Sequence, residues 1–209
     1  MNKDNVLKQL SNSGIIPVMR NMNPESIVSI IEALRDGGLN TVEITIEQKG
    51  GLEAIRAAKS HYGDALCIGA GTVLSEAQAQ SAIEAGADFI VTPIVSKEVI
   101  ALANKAERFI ACGALTPTEI FEAHMAGADL VKVFPADAMG ASYFKNVKGP
   151  LRSIPLMPTG GITLSNLGDY VKNGAICVGV GSAIYQYETN AEITNAAKAF
   201  VSAFQLARN

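Results

Sequence analysis

The sequence predicts an α/β protein built as a (β/α)8 barrel with a short helix ahead of the first strand. Three observations carry that prediction. Eight short apolar runs alternate with amphipathic helical patterns along the 209 residues. Four of those helical patterns end in a similar glycine punctuation just before the next apolar run. The polar residues that stand out lie on the strands or at their carboxyl ends, and glycine-rich segments cluster after the seventh and eighth, where a TIM barrel commonly carries a phosphate site. A doubly wound open sheet is the alternative for the same order of elements. The barrel would be small against the roughly 250 residues typical of the fold. Nothing has the composition of a linker, so a single domain over 1–209 is expected.

Taken in order, residues 4–12 form a helical pattern placed to plug the amino-terminal end of the barrel. Strands are expected at 15–19, 41–45, 66–70, 89–92, 109–113, 130–133, 156–159 and 175–179. The helix after the first strand opens at Asn23-Pro24, where Asn23 can cap and Pro24 suits the first turn; Ile27, Ile30, Ile31 and Leu34 then make one stripe. Ser75-Glu-Ala-Gln78 and Thr116-Pro-Thr-Glu119 read as capping boxes. Asp36-Gly-Gly38, Glu84-Ala-Gly-Ala87, Met125-Ala-Gly-Ala128 and Lys172-Asn-Gly-Ala175 place a glycine where a helix turns left-handed into the next strand.

Charge and composition remove several function classes. The net charge is −3 with scattered lysines and arginines, so there is no basic stripe for a phosphate backbone and nucleic acid is not an expected partner. The amino terminus is too polar for a signal peptide, and no apolar run approaches the roughly 20 residues that span a bilayer. A cytoplasmic protein without membrane contact is expected. Cys67, Cys112 and Cys177 lack metal-ligand or redox spacing and read as small buried hydrophobes. His61 and His124 are isolated in helical segments and read as solvated.

The most informative residue is Lys132, in the middle of the apolar stretch Leu130-Val-Lys-Val-Phe134. Strand periodicity puts Leu130, Lys132 and Phe134 on one face and Val131 and Val133 on the other. Apolar surroundings disfavour an ammonium relative to the free amine, the form that attacks a carbonyl. The other reading is a buried stem whose head snorkels or pairs with Asp129 or Asp137. Glu43 stands inward on the second strand with Thr45, opposite in sense to Val42 and Ile44. It is a candidate acid/base beside the lysine, or merely its counter-ion. Arg20 ends the first strand and offers a planar fork for a carboxylate, or is an ordinary surface arginine. Pro158-Thr-Gly-Gly-Ile162 and Gly179-Val-Gly-Ser182 can close backbone amides on a phosphate, although tight turns alone also need glycine. In Gly69-Ala-Gly-Thr72 the hydroxyl of Thr72 can donate to a substrate oxygen, or the segment serves packing.

Val42-Glu-Ile-Thr45, Gly69-Ala-Gly-Thr-Val-Leu74, Leu115-Thr-Pro-Thr-Glu119, Val131-Lys-Val-Phe-Pro-Ala136 and Pro158-Thr-Gly-Gly-Ile162 together resemble the 2-keto-3-deoxy-6-phosphogluconate and 4-hydroxy-2-oxoglutarate aldolase family, which includes 6-phosphogalactonate relatives. The resemblance runs over nearly the whole chain, in order. It implies a class I aldolase, a homotrimer without a metal or other cofactor, acting on a phosphorylated 2-keto acid in Entner-Doudoroff carbohydrate metabolism. Carried over, Lys132 matches the Schiff-base lysine, Glu43 the general acid/base and Arg20 the carboxylate-binding arginine. Thr72, Pro93, Phe134 and Thr159 match pocket positions; Gly160, Gly161, Gly181 and Ser182 match the phosphate site. Two positions depart. Glu47 stands where several relatives carry arginine, leaving one fewer cation and more reliance on Arg20. Cys112 replaces a common proline, for which a local change in the pocket wall is expected.

The resemblance implies cleavage of 2-keto-3-deoxy-6-phosphogluconate to pyruvate and glyceraldehyde 3-phosphate, with 4-hydroxy-2-oxoglutarate or the galactonate epimer as other substrates. A phosphosugar isomerase, a thiamine phosphate synthase or a noncatalytic phosphosugar-binding barrel would keep the glycines but has no need of both Lys132 and Glu43.

Overall fold

Each apolar run forms a strand because its alternate side chains bury against two different partners, the helices outside and the barrel interior within. The structure, a computed structural model, describes residues 1–209. After helix α1 (Lys3–Ser13) the chain runs β1 (Ile15–Met19), α2 (Ile27–Asp36), β2 (Thr41–Thr45), α3 (Gly51–Tyr62), β3 (Cys67–Gly71), α4 (Glu76–Glu84), β4 (Phe89–Val91), α5 (Lys97–Lys105) and β5 (Phe109–Ala114). It continues α6 (Pro117–Met125), β6 (Leu130–Val133), α7 (Ala141–Lys148), β7 (Leu156–Pro158), α8 (Leu167–Lys172), β8 (Val178–Val180) and α9 (Asn190–Arg208).

All eight strands are parallel and neighbours in sequence order from β1 to β7. β1 pairs with β8 through Ile15, Ile16 and Pro17. Bridges Leu156 to Ala175 and Thr159 to Gly179 join β7 to the last strand and close the ring. Closure excludes the open sheet and gives the (β/α)8 TIM barrel expected from the sequence.

Outside the ring, Ile15, Val42, Ile44, Ile68, Val131 and Val133 pack on the helices. Inside it, Ile16, Phe89, Phe109, Leu130 and Met157 form a second core with Val6 and Leu10 of α1, both fully buried. The amino-terminal helix is therefore a plug, as its position suggested. Burying those two side chains contributes about 1.5–3 kcal/mol each. Lys3 adds a latch, its Nζ lying 2.8 Å from Asp129 Oδ2, while the same carboxylate accepts the N–H of Ile110.

The four glycine punctuations take left-handed backbone: Gly38, Gly86, Gly127 and Gly174 have φ of 97°, 99°, 100° and 101°. In each, the following N–H reaches a carbonyl five residues back, as Ala87 N–H does to Ala82 O. That is the Schellman closure glycine permits at no steric cost. Thr116 and Glu119 form a complete capping box. Ser75 caps α4 by accepting from Gln78 N–H, but Gln78 Oε1 turns to Leu74 N–H, so the reciprocal half expected from the sequence is not made. The regular part of α2 starts at Ile27, one turn later than Asn23-Pro24 suggested; Asn23 Oδ1 still accepts the N–H groups of Glu25 and Ser26 and so caps the entering turn.

Candidate active site

The strand register carries Lys132 and Glu43 into the mouth of the barrel from opposite sides of the ring. Lys132 pairs in register with Gly113 and Met157, and Glu43 with Val18 and Gly69. Their neighbours Val131, Val133, Val42 and Ile44 sit in the outer core, so both polar side chains point inward. Both are buried, and Lys132 Nζ lies 3.6 Å from Glu43 Oε1. That is ion-pair range and longer than a good hydrogen bond. Neither oxygen of Glu43 has a hydrogen-bond partner in the protein. The aspartates weighed as partners for Lys132 are otherwise placed: Asp129 holds Lys3, and Asp137 lies against Gly161.

Small residues make this arrangement possible. A methyl on Gly71 would land on Glu43 Oε1, and one on Gly179 would land on Thr159 Oγ1. Thr159 is buried with its hydroxyl unpartnered, facing the same interior. The ring of Phe134 stands 5.4 Å from Lys132 Nζ, within cation-π reach. Pro93 is half-buried beyond β4, its carbonyl so close to Gly113 that no side chain fits there, and Thr92 Oγ1 braces this turn by accepting Gly113 N–H. Thr72, half-buried at the exit of β3, has φ of 57°. A β-branched residue there is strained by about 1–2 kcal/mol, a feature that clusters at functional sites. Thr45, inward with Glu43, donates to Met19 O and so serves the sheet.

Arg20 stands at the exit of β1, half-exposed. Its backbone N–H donates to Tyr185 Oη at 3.0 Å, and its guanidinium lies 3.5 Å from Glu47 Oε1. Burial raises the Tyr185 phenol, which keeps it a neutral acceptor at physiological pH, with Arg20 opposing the shift. Glu47, which leaves the site one cation short, also pairs with Arg20, a contact that depends on the β1–β2 register and has no signal in the sequence.

The two glycine loops lie side by side, joined by the Thr159–Gly179 bridge. Gly160 and Gly161 have φ of 97° and 68°. The backbone N–H groups of Gly160, Gly161, Gly181 and Ser182 donate to no other group of the protein. Asn166 stiffens the first loop, donating to Gly161 O and accepting Thr163 N–H. Free amides on adjacent glycine loops can hold an anion.

Cys112 and His124 are placed differently from the sequence expectation. Cys112 belongs to the outer core, not to the pocket wall, because Gly113 takes the inward place on β5. His124 is half-buried with Nδ1 unpartnered, so it is not simply solvated; His61 is exposed. The three cysteines are free and buried, and burial pushes the thiols of Cys67 and Cys177 up to about 12. No helix is long and apolar enough to cross a membrane.

A family profile described as "Aldolase: KDPG and KHG aldolase" matches residues 5–199. The chain is 35% identical over 193 residues to 2-dehydro-3-deoxy-6-phosphogalactonate aldolase of Escherichia coli, covering 91% of this chain and 94% of that protein. It is 38% identical over 167 residues to 2-dehydro-3-deoxy-phosphogluconate aldolase of Pseudomonas aeruginosa, covering 79% and 76%. The structure of the Legionella pneumophila KDPG aldolase, with pyruvate captured as a covalent carbinolamine, superposes with a TM-score of 0.86 at 29% identity over 93% of this chain and 97% of that one.

Proposed function

The chain belongs to the KDPG and KHG aldolase family and is an aldolase, and from that premise we propose that it cleaves 2-keto-3-deoxy-6-phosphogluconate to pyruvate and glyceraldehyde 3-phosphate through a Schiff base on Lys132. The observation that carries this reading is the buried Lys132–Glu43 pair, held without a hydrogen bond to either oxygen of the carboxylate. A pair that served stability alone would have its remaining lone pairs satisfied.

Lys132 Nζ adds to the C2 ketone and water leaves, giving an iminium that accepts the electron pair of the breaking C3–C4 bond. Glu43 takes the C4 hydroxyl proton as that bond breaks, glyceraldehyde 3-phosphate departs, and an enamine of pyruvate remains. Glu43 returns the proton to C3, and water releases pyruvate from the lysine. Arg20 holds the substrate carboxylate with its planar fork. Thr72, Pro93, Phe134 and Thr159 line the chain of the substrate, and the free amides of Gly160, Gly161, Gly181 and Ser182 hold the phosphate.

A second reading has the galactonate epimer as the substrate, favoured by the 35% identity that extends over 91% of the chain. Under either reading the protein is one barrel domain over 1–209 acting in the cytoplasm as a homotrimer, and the gluconate reading puts it in Entner-Doudoroff sugar-acid breakdown. Exposed Leu74, Ile94, Phe121 and Met125 supply apolar surface for contacts between copies.

Borohydride reduction in the presence of pyruvate tests the chemistry. The adduct is expected on the peptide that contains Lys132 and is absent in Lys132→Ala; trapping on another lysine, or none, overturns the assignment. Relative kcat/KM on the two phosphorylated epimers and on 4-hydroxy-2-oxoglutarate then decides the substrate.

A further inference from the structure

Arg20 and Glu47 meet at the rim although they leave different strands, and the contact has a chemical meaning. A carboxylate on a guanidinium is what a 2-keto acid would offer to the same group. The pair is made by a single Nη1–Oε1 approach of 3.5 Å, with the arginine side chain 45% exposed and the glutamate 26%. A single long contact at that exposure is weak and exchangeable. The base of Arg20 is fixed separately by its N–H on Tyr185 Oη. The main chain at Arg20 is therefore held at the rim independently of Glu47.

We infer that Glu47 is a built-in competitor for the substrate carboxylate, a positioning residue that occupies Arg20 in the empty enzyme, yields to the 2-keto acid, and takes the guanidinium back when pyruvate leaves. This rests on the assignment of Arg20 to the substrate carboxylate. With Glu47 in place the Arg20–Glu47 pair carries no net charge, so the site trades affinity for fast release of a small anionic product. Removing the competing charge leaves Arg20 a free cation for every 2-keto acid. At separations of about 5 Å in a wet site, one charge changes binding of a carboxylate roughly three- to tenfold at low ionic strength.

The test compares Glu47→Gln with the unaltered enzyme by the pyruvate concentration that half-saturates borohydride trapping, at about 10 mM and 1 M salt. Methyl pyruvate, which has the ketone and no charge, is the control. The expected result is half-saturation by pyruvate at about three- to tenfold lower concentration at low salt, with the gain shrinking to under about twofold at high salt. Methyl pyruvate should be unaffected at both. KM for the aldol substrate should fall in parallel with kcat not raised, and Glu47→Gln should have no such effect in an Arg20→Gln background. An equal shift for the neutral ester, a rise in half-saturation, or no change overturns the competitor role. Failure of all trapping on Lys132 would instead overturn the Schiff-base reading, so the two failures are distinguishable.

Discussion

Glu43 Oε1 lies 3.6 Å from Lys132 Nζ across the mouth of the barrel, and neither carboxylate oxygen is hydrogen-bonded within the protein. An unpaired buried acceptor costs about 1–3 kcal/mol, more when charged. The sequence nonetheless spends two glycines, Gly71 and Gly179, on keeping space beside this carboxylate and beside the unpartnered Thr159 hydroxyl. Space and open acceptors together suit a group that must exchange partners during a reaction, since a proton carrier needs access first to an oxygen and then to a carbon.

Glu43→Gln removes the carboxylate proposed as the proton carrier and keeps the shape. The variant is expected to form the pyruvate Schiff base, seen by borohydride trapping, and to lose cleavage by about 10²–10⁴-fold, the usual worth of a positioned acid/base. Near-normal turnover would show that another group moves the proton.

Gly71→Ala acts on the same carboxylate without touching it chemically. The added methyl would occupy the place of Glu43 Oε1, and the carboxylate must rotate away. Displacing a group that acts in the chemistry by about 1 Å costs up to roughly 10²-fold, so under the role proposed for Glu43 kcat should fall by about 10–10²-fold while trapping by pyruvate persists. Unchanged kcat would mean that the carboxylate position is not critical.

The architecture was legible because its signals are local. The alternation of side chains along short apolar runs and a left-handed glycine at the end of four helices do not depend on the rest of the fold, and Gly38, Gly86, Gly127 and Gly174 all take the backbone read for them. Lys132 and Glu43 were legible for the same reason: each is a charge on a face whose sequence neighbours are apolar. What escaped depends on the register between strands. The Arg20–Glu47 pair joins residues leaving β1 and β2, and the loops that carry the unpaired amides of Gly160 and Gly181 become neighbours only through the β7–β8 closure. The wall position of Cys112 rests on the resemblance alone, and the strand register instead turns Gly113 inward and Cys112 to the outer core.

Glu107 gives a stability prediction that the sequence pattern hid. α5 ends in the same closure as its counterparts, with Arg108 N–H on Ala103 O, but the left-handed position is Glu107, at φ of 53°. Glu107→Gly relieves about 1–2 kcal/mol of backbone strain and gives back part of it through a more flexible unfolded chain. A net gain of about 0.5–1 kcal/mol in urea unfolding is expected, with catalysis unchanged because the residue lies at the opposite end of the barrel from Lys132. A loss of stability would show that the glutamate side chain contributes more than its backbone strain costs.

The phosphate end is best tested at Gly181. A substitution at Gly161 is confounded, because its φ is 68° and a side chain would strike Asp137. Gly181 has φ of −77°, and a methyl there meets nothing within 4 Å, so the fold tolerates Gly181→Ala. If the proposed phosphate site is right, the methyl adds bulk beside the free amides of this loop, where the phosphate would bind. Loss of one hydrogen bond to a charged oxygen typically costs about 1.5–3 kcal/mol, so kcat/KM for the phosphorylated substrate should drop by about 10–150-fold. Cleavage of 4-hydroxy-2-oxoglutarate, which has no phosphate to place, should change less than about threefold if Lys132 and Glu43 are undisturbed. Pyruvate trapping at the wild-type level confirms that the Schiff-base end is intact. Equal losses on both substrates would mean that Gly181 serves the turn after β8, and that the free amides of this loop do not distinguish a phosphorylated substrate from an unphosphorylated one.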